Sequence, residues 1–402
     1  MATIRQAVIL AGGLGTRLRP LTNQLPKPMV PVAGKPFLEH LVGMLRQNGI
    51  EELVLLLGYL PEKITEHFGD GKNFGVSIKY SIGSVQDLTG TRVRNAAPLL
   101  AQEFLLLYSD NYWPMDLKKM LKHYREKQVL GALTAYSNRH GDAEHGRENN
   151  VRIDSAGLVT RYGPFSDDPQ LNAVDIGFFL MNKDVVDLMP EENFSFEHVV
   201  LPKLIEQNNL AGYVTDHPYH SITTIGQLPT VEKFLSDKKV MLLDRDGVIN
   251  KQMPPHDYVK KWREFEFLPG ALEACKALTD AGYQIYLISN QRGIARGLMT
   301  PNDLDDIHAK MAEVIQTHGG RIAGVYSCPH SNDDRCSCRK PKPGMLFQAA
   351  RDHAINLTKT VFIGDEESDR LAGDAAGCQM ILVTPEQSLA SIVNDLLNHP
   401  RL

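Results

Sequence analysis

Short apolar runs and amphipathic stretches alternate along most of the chain. "QAVIL" (6–10), "ELVLLLG" (52–58), "FLLLYSD" (104–110), "GALTAYS" (131–137) and "DIGFFLM" (175–181) are nearly continuous apolar segments. Between them lie stretches such as "FLEHLVGMLRQNG", with apolar residues at helical spacing. A second series runs through "KKVMLLDRDG" (238–247), "YQIYLISN" (283–290), "GVYSCPH" (324–330), "KTVFIGDE" (359–366) and "QMILVTP" (379–385). Helical stretches such as "PGALEACKALTDAG" separate its members. Unbroken apolar strands alternating with helices predict parallel sheets covered on both faces, since a strand with one wet face would alternate polar and apolar residues. The polar segment "LSDKK" (235–239) divides the two series. The expected architecture is α/β, with two doubly wound domains in tandem, residues 1–237 and 238–402.

Composition agrees with that picture. A chain of 402 residues, 43% hydrophobic and 23% charged, exceeds one ordinary core and reads as globular. No apolar run reaches the roughly 18 residues of a membrane helix. The start, "MATIRQAVILAGG", reads as a strand entering a glycine-rich turn and lacks the cleavage site of a signal peptide. A net charge of -5 offers no general attraction for nucleic acid. Neither nucleic acid nor membrane is expected as a partner, local basic pockets for phosphate stay possible, and the oligomeric state stays open. Only five cysteines occur, three of them between 328 and 338, which argues against a disulfide framework and for a reducing cytoplasm.

The second series carries chemistry at its strand ends. In "VMLLDRDGVIN" an apolar run stops at Asp244, with Asp246 two residues on. Alternation in an extended chain points both carboxylates into one crevice at the strand's carboxyl end. One can serve as a nucleophile on phosphorus and the other as acid and then base. An Asp-x-Asp-Gly turn alone is equally at home as a capping pair. "YQIYLISNQRG" ends with Ser289 and Asn290, a hydroxyl and an amide able to hold phosphate oxygens, and "KTVFIGDEESD" ends with Asp365, a hard oxygen donor for Mg²⁺. "RKPKPG" adds Arg339 and Lys340 as positive charges for a transferring phosphoryl group.

This order of groups resembles the haloacid dehalogenase superfamily over essentially all of 240–385. The resemblance implies a Rossmannoid domain with Asp244 as the nucleophile that becomes a phospho-aspartate and Asp246 as general acid/base. It also implies Mg²⁺ held by Asp244, the Asp246 backbone carbonyl and Asp365.

Cys328, His330, Cys336 and Cys338 form Cys-x-His-x5-Cys-x-Cys, a Cys3His set suited to tetrahedral, structural Zn²⁺ that would fix Arg339 and Lys340 in place. The alternative is a chance cluster of surface thiols. Cys275 and Cys378 stand in apolar contexts and read as packing residues. With "LDRDGVIN", "HDYV", "FEFLPG", "SNQRGIARG" and "CRKPKPGM", the zinc loop is similar to that of the D-glycero-D-manno-heptose 1,7-bisphosphate phosphatases. Histidinol-phosphate phosphatases share the loop and the acid pair. The loop here is short, nearer to the histidinol-phosphate form, and Glu366 stands where the heptose group usually has Lys.

In the first series, "AVILAGGLGTRLRPLTNQLPKPMVPVAGKP" follows its strand with Gly12, Gly13 and Gly15, then Thr16, Arg17 and Lys27. Glycines let backbone N–H groups approach phosphate oxygens, and Arg17 and Lys27 would balance a triphosphate. The stretch resembles the sugar-1-phosphate nucleotidyltransferases, with a GT-A/Rossmann-like fold, over about residues 5–235. That resemblance implies attack of a sugar 1-phosphate on an NTP, with Mg²⁺ held partly by Asp110. Three positions depart from it. Thr224 of "SITTIG" stands where a metal-binding Asp is usual, "VTRYGPF" lacks a Glu-Lys pair, and "LTGTRVRN" places Arg92 and Arg94 at small or apolar positions. Asp175 is a candidate to compensate.

Taken together the resemblances imply a bifunctional enzyme of nucleotide-activated heptose synthesis, with the guanylyl form favoured. Two other readings stay open: a phosphatase carrying a non-catalytic binding or oligomerisation module, and a phosphatase for another small monoester such as histidinol phosphate.

Overall fold

The computed structural model describes residues 3–139, 141, 143, 148–163, 168–254 and 257–399. His256 of "HDYV" and Pro164 and Phe165 of "VTRYGPF" lie outside the described residues. The chain divides into two compact units, Met1–Leu235 and Ser236–Leu402.

Strands are numbered here for the two main sheets. The first unit contains β1 (Gln6–Ala11), β2 (Glu52–Leu57), β3 (Ser77–Ile82), β4 (Glu103–Tyr108), β5 (Gly131–Tyr136), β6 (Val174–Asn182) and β7 (Leu210–Thr215). They form one sheet in the order β7-β5-β6-β4-β1-β2-β3. The inner strands are the apolar runs of the sequence. β1 is buried along its whole length, and Val8 and Leu10 share a core with Val54, Leu56, Leu106 and Phe179. The sheet is mixed rather than all parallel. β6 runs antiparallel to both β4 and β5, while the other pairs are parallel. The segment between β5 and β6 folds back as a hairpin of Val151–Ile153 and Val159–Tyr162 instead of a crossover helix. Without a crossover helix, the chain re-enters the sheet in the opposite direction.

The second unit is doubly wound. β8 (Val240–Leu243), β9 (Gln284–Asn290), β10 (Ile322–Cys328), β11 (Val361–Gly364) and β12 (Gln379–Leu382) make an all-parallel sheet in the order β10-β9-β8-β11-β12. Alternate residues of its central strands feed two cores. Met241, Leu243, Ile285, Leu287 and Ile363 pack with residues of the helices Ala271–Asp280, Pro301–Thr317 and Leu389–Asn398. Val240, Leu242, Tyr286, Ile288 and Phe362 pack on the other face with residues of Gly344–His353 and Glu367–Ala376. Each fully buried Leu, Ile or Met side chain contributes about 1.5–3 kcal/mol. β8, only four residues long, is buried throughout and ends directly at Asp244. No helix among the described residues is long and apolar enough to cross a membrane.

Candidate active sites

The carboxyl ends of β8, β9 and β11 meet above the second sheet, where an open parallel sheet presents ligand sites. Asp244, Asp365 and Asp369 each offer a carboxylate oxygen, and these atoms lie within 4.8 Å of one another. Lys340 projects among them from the loop after β10. Its Nζ lies 2.9 Å from Asp244 Oδ1, contacts Asp369, and donates to the Ile288 carbonyl at 2.9 Å. Burial disfavours charge on Lys340, but Asp244 and Asp369 outweigh it and raise its pKa. It stays a cation.

One lysine does not neutralise three acids. Burial pushes the Asp244 pKa well up, against the pull of Lys340, and Asp369, Asp246 and Asp365 push it further. Asp365 is raised to about 7 by burial and by the neighbouring Asp369 and Glu366. Its Oδ1 is buried and has no hydrogen-bond partner. A nest of hard oxygen donors with surplus negative charge and an unpartnered buried oxygen fits Mg²⁺. Glycine backbone walls this nest. A Cβ on Gly247, whose φ is +81°, would come 1.9 Å from Asp365, and one on Gly364 would come 2.3 Å from Asp369.

Asp246 shares the crevice but keeps different company. Its carboxylate accepts from Arg245 Nη2, Asn250 and Gln291, each at 2.9 Å. Burial opposes its ionisation, but the Arg245 charge and these hydrogen bonds prevail and hold its pKa below the ordinary carboxylate value. Ser289 is buried at the end of β9, where its Oγ accepts from Gln291 at 2.8 Å. The Asn290 amide brackets the backbone of Lys340, with Nδ2 donating to its carbonyl and Oδ1 accepting from its N–H, both at 3.1 Å. Those contacts use one of the amide's two N–H donors and one of its two acceptor positions, so Asn290 holds Lys340 and keeps a second N–H that can face phosphate. Arg339 reaches back to Asn332 at 2.8 Å and leaves its buried Nη1 without a hydrogen-bond partner.

The cysteine loop lies directly before Lys340. Cys328 Sγ is 3.7 Å from Cys336 Sγ and 3.3 Å from Cys338 Sγ, and His330 Nδ1 is 3.5 and 3.2 Å from Cys328 and Cys338. Four-coordinate Zn²⁺ with bonds near 2.3 Å spaces its sulfurs about 3.8 Å apart, so the four residues fit a metal and leave no position open.

In the first unit, Gly12, Gly13, Gly15, Thr16, Arg17, Lys27 and Asp110 all line one cavity of about 460 Å³. Gly15 takes φ +62° to turn the chain, and a Cβ there would come 2.9 Å from Lys27 Cβ. Lys27 forms an ion pair with Asp110 across the cavity. Arg92 is buried in its wall. It donates to the carbonyls of Leu57 and Ser84 at 2.8 Å and of Gly12 at 3.3 Å, tying the glycine turn to the end of β2 and the loop after β3. A Cβ on Gly12 would lie 2.3 Å from the guanidinium, so a larger residue there would displace Arg92. Arg94 reaches the Glu192 carbonyl at 3.2 Å. Thr224 caps the short helix Ile225–Gln227, its backbone N–H donating to Gln227 Oε1 at 2.7 Å. Asp175 accepts from Tyr162 at 3.0 Å and Gly177 at 2.8 Å and does not line the cavity, so it does not replace the missing acid.

Asp369 is the site residue that sequence reasoning missed. It is fully buried and accepts from the backbone N–H groups of Asp365 and Glu366 at 3.2 and 3.1 Å. The signal was available: an acid four residues after the strand-end Asp365 falls in the first turn of a helix and can turn back to the strand end.

Fold and sites together define a nucleotidyltransferase unit followed by an aspartate-based phosphatase unit. A nucleotidyl transferase family model matches residues 6–243, more than half of the chain. A HAD-hydrolase-like model matches residues 337–399. The D-glycero-beta-D-manno-heptose-1,7-bisphosphate 7-phosphatase of Pseudomonas aeruginosa is 40% identical over 146 residues, 36% of this chain and 81% of that relative. The D-glycero-alpha-D-manno-heptose-1,7-bisphosphate 7-phosphatase of Mycobacterium bovis is 38% identical over 149 residues, 36% of this chain and 78% of that relative. A Bacillus anthracis structure, provisionally assigned as a glucose-1-phosphate thymidylyltransferase, aligns with a TM-score of 0.52 at 18% identity, covering 58% of this chain and 95% of that one, a likeness of fold alone. The chain belongs to the nucleotidyl transferase family, and its second half belongs with the haloacid dehalogenase-like phosphatases, which are phosphoric monoester hydrolases.

Proposed function

We propose that the second half removes the 7-phosphate of D-glycero-D-manno-heptose 1,7-bisphosphate. The first half would then join the heptose 1-phosphate to an NTP, with GTP favoured, to give NDP-heptose and pyrophosphate. The convergence of Asp244, Asp365 and Lys340 on one nest carries the phosphatase reading. The substrate rests on the relatives, which are heptose bisphosphate phosphatases of both anomeric kinds at similar identity, so the anomer is left open.

In the proposed reaction an Asp244 oxygen bonds to phosphorus as the phosphorus–alkoxide bond breaks. The alkoxide takes a proton from Asp246, which has to be protonated for this step against the pull of Arg245, Asn250 and Gln291. Asp246 then takes a proton from water as that water's oxygen attacks the phospho-aspartate and frees Asp244. Ser289 and Arg339 would hold phosphate oxygens, and Lys340 would balance their charge beside Asp244. Mg²⁺, held by Asp244, Asp365 and the Asp246 backbone carbonyl, would supply further charge compensation. Zn²⁺ in the Cys3His set would be structural, and the free thiols suit a cytoplasmic setting.

Incubation with heptose bisphosphate, Mg²⁺ and each NTP, followed by product masses, tests the scheme. Lys27→Ala should abolish nucleotide-sugar formation and leave phosphate release unchanged, because Lys27 lines only the first cavity. Equal nucleotide-sugar yield from the variant would remove Lys27 from the nucleotide site. Thr224 in its capping role and the engaged Asp175 favour a second reading, in which the first half binds a sugar phosphate or nucleotide without turnover. Absence of pyrophosphate with every NTP would select it. The ratio of kcat/KM on heptose bisphosphate to that on histidinol phosphate decides the monoester.

A further inference from the structure

The loop after β3, residues 83–88, has its main chain tied down by side chains from elsewhere in the first unit. Arg92 Nη2 donates to the Ser84 carbonyl at 2.8 Å. Asn193 Nδ2 donates to the Gln86 carbonyl at 2.9 Å, while its Oδ1 accepts from Leu88 N–H at 2.8 Å and Thr91 Oγ1 at 2.9 Å. Within the loop, Asp87 N–H donates to the Ser84 carbonyl at 3.1 Å, and Ser84 N–H donates to Asp87 Oδ2 at 2.8 Å. The loop so fixed lines the first cavity with Val85, Gln86, Asp87 and Leu88. Val85 and Leu88 remain 37% and 48% exposed there. Apolar side chains beside a few fixed polar groups suit a flat heterocycle better than a hydroxylated ring. Asp87 lies over Gly83, where a Cβ would come 2.4 Å from its Oδ2 and 3.9 Å from Arg92 Nη1. An ionised carboxylate has about four acceptor positions, and Ser84 takes one. The same charge repels phosphate, which Arg17 and Lys27 in this cavity attract.

We propose that Asp87 reads guanine, its carboxylate accepting from N1–H and the 2-amino group of a nucleotide whose base lies against Val85 and Leu88. The proposal rests on the nucleotide reading above and deepens it. Guanine sets two adjacent donors on its pairing edge. Adenine offers one donor beside the N1 lone pair, which would face the carboxylate and be repelled. A carboxylate therefore selects by what it rejects as well as by what it holds.

Equilibrium binding of nucleotides to the full chain tests this whether or not the first unit turns over. Wild type should bind GTP about 10–100-fold more tightly than ATP, and about tenfold more tightly than ITP, which lacks only the 2-amino group. Asp87→Asn keeps an oxygen for Ser84 N–H and exchanges the other acceptor for a donor. It should lower the GTP-to-ATP affinity ratio about 10–100-fold and bind XTP, with a carbonyl at C2, more tightly than GTP. The ITP comparison needs no variant, so a misfolded Asp87→Asn does not shield the proposal. Equal affinity of wild type for GTP and ITP overturns the role of Asp87 and leaves nucleotide binding standing. So does a GTP-to-ATP ratio that Asp87→Asn leaves in place. Failure of wild type to bind any NTP, with and without Mg²⁺, overturns the nucleotide reading and the role of Asp87 with it.

Discussion

Asp244→Asn should release phosphate on the order of 10⁴–10⁶-fold more slowly than the wild type, because the amide cannot form the phospho-enzyme bond. Folding should not suffer. Burial, helped by Asp369, Asp246 and Asp365, raises the wild-type carboxyl's pKa against the pull of Lys340, so folding disfavours its ionised form. The sign follows: a carboxyl with a raised folded pKa favours folding fully below its unfolded value and loses that advantage as pH rises through the folded one. The amide carries no charge to lose, so metal-free Asp244→Asn should melt at or above the wild-type temperature at pH 7. Phosphate release and thermal unfolding, measured on the same preparation, check both halves. Turnover within tenfold of wild type would remove Asp244 from the role of nucleophile.

Cys338→Ser should show the second large effect. Cys338 lies 3.3 Å from Cys328 Sγ and 3.2 Å from His330 Nδ1, and Lys340 is two residues further on. If the set holds zinc, opening it would release the metal and with it the fixed approach of Lys340 to Asp244. Displacing Lys340 removes a positive charge placed for the transferring phosphoryl group, a loss on the order of 10²–10³-fold in phosphatase turnover. Metal content should drop by one zinc per chain, and phosphatase turnover should fall while nucleotide binding by the first unit persists. A variant with unchanged metal content and rate would show that the thiols hold nothing.

Much of this architecture was legible because buried parallel strands announce themselves as unbroken apolar runs. The two edge strands were not. Ser77–Ile82 is half exposed and mixes Lys79 and Ser81 with apolar residues, and Leu210–Thr215 turns polar toward its end. Strand direction was also hidden, since an apolar run reads the same either way and only the hairpin before β6 sets its sense. Site residues at strand ends were readable for the same reason as the strands. Asp244, Asp365 and Lys340 lie together at the strand ends, and Asn290 also engages the Lys340 backbone, a contact that depends on a loop fifty positions away. The threonine cap could have been seen: Thr224 followed three residues later by Gln227 is a capping-box signature. Arg92 offered no such cue, because its partners are backbone carbonyls from three separate segments.

Gly247 and Gly364 press main chain directly against Asp365 and Asp369. A pocket hemmed this way would leave little room for a bulkier guest. Calcium gathers six to eight oxygens at 2.3–2.6 Å, while magnesium takes six in a tight octahedron at about 2.0–2.1 Å. Discrimination between the two ions would then reside in residues that own no side chain at all.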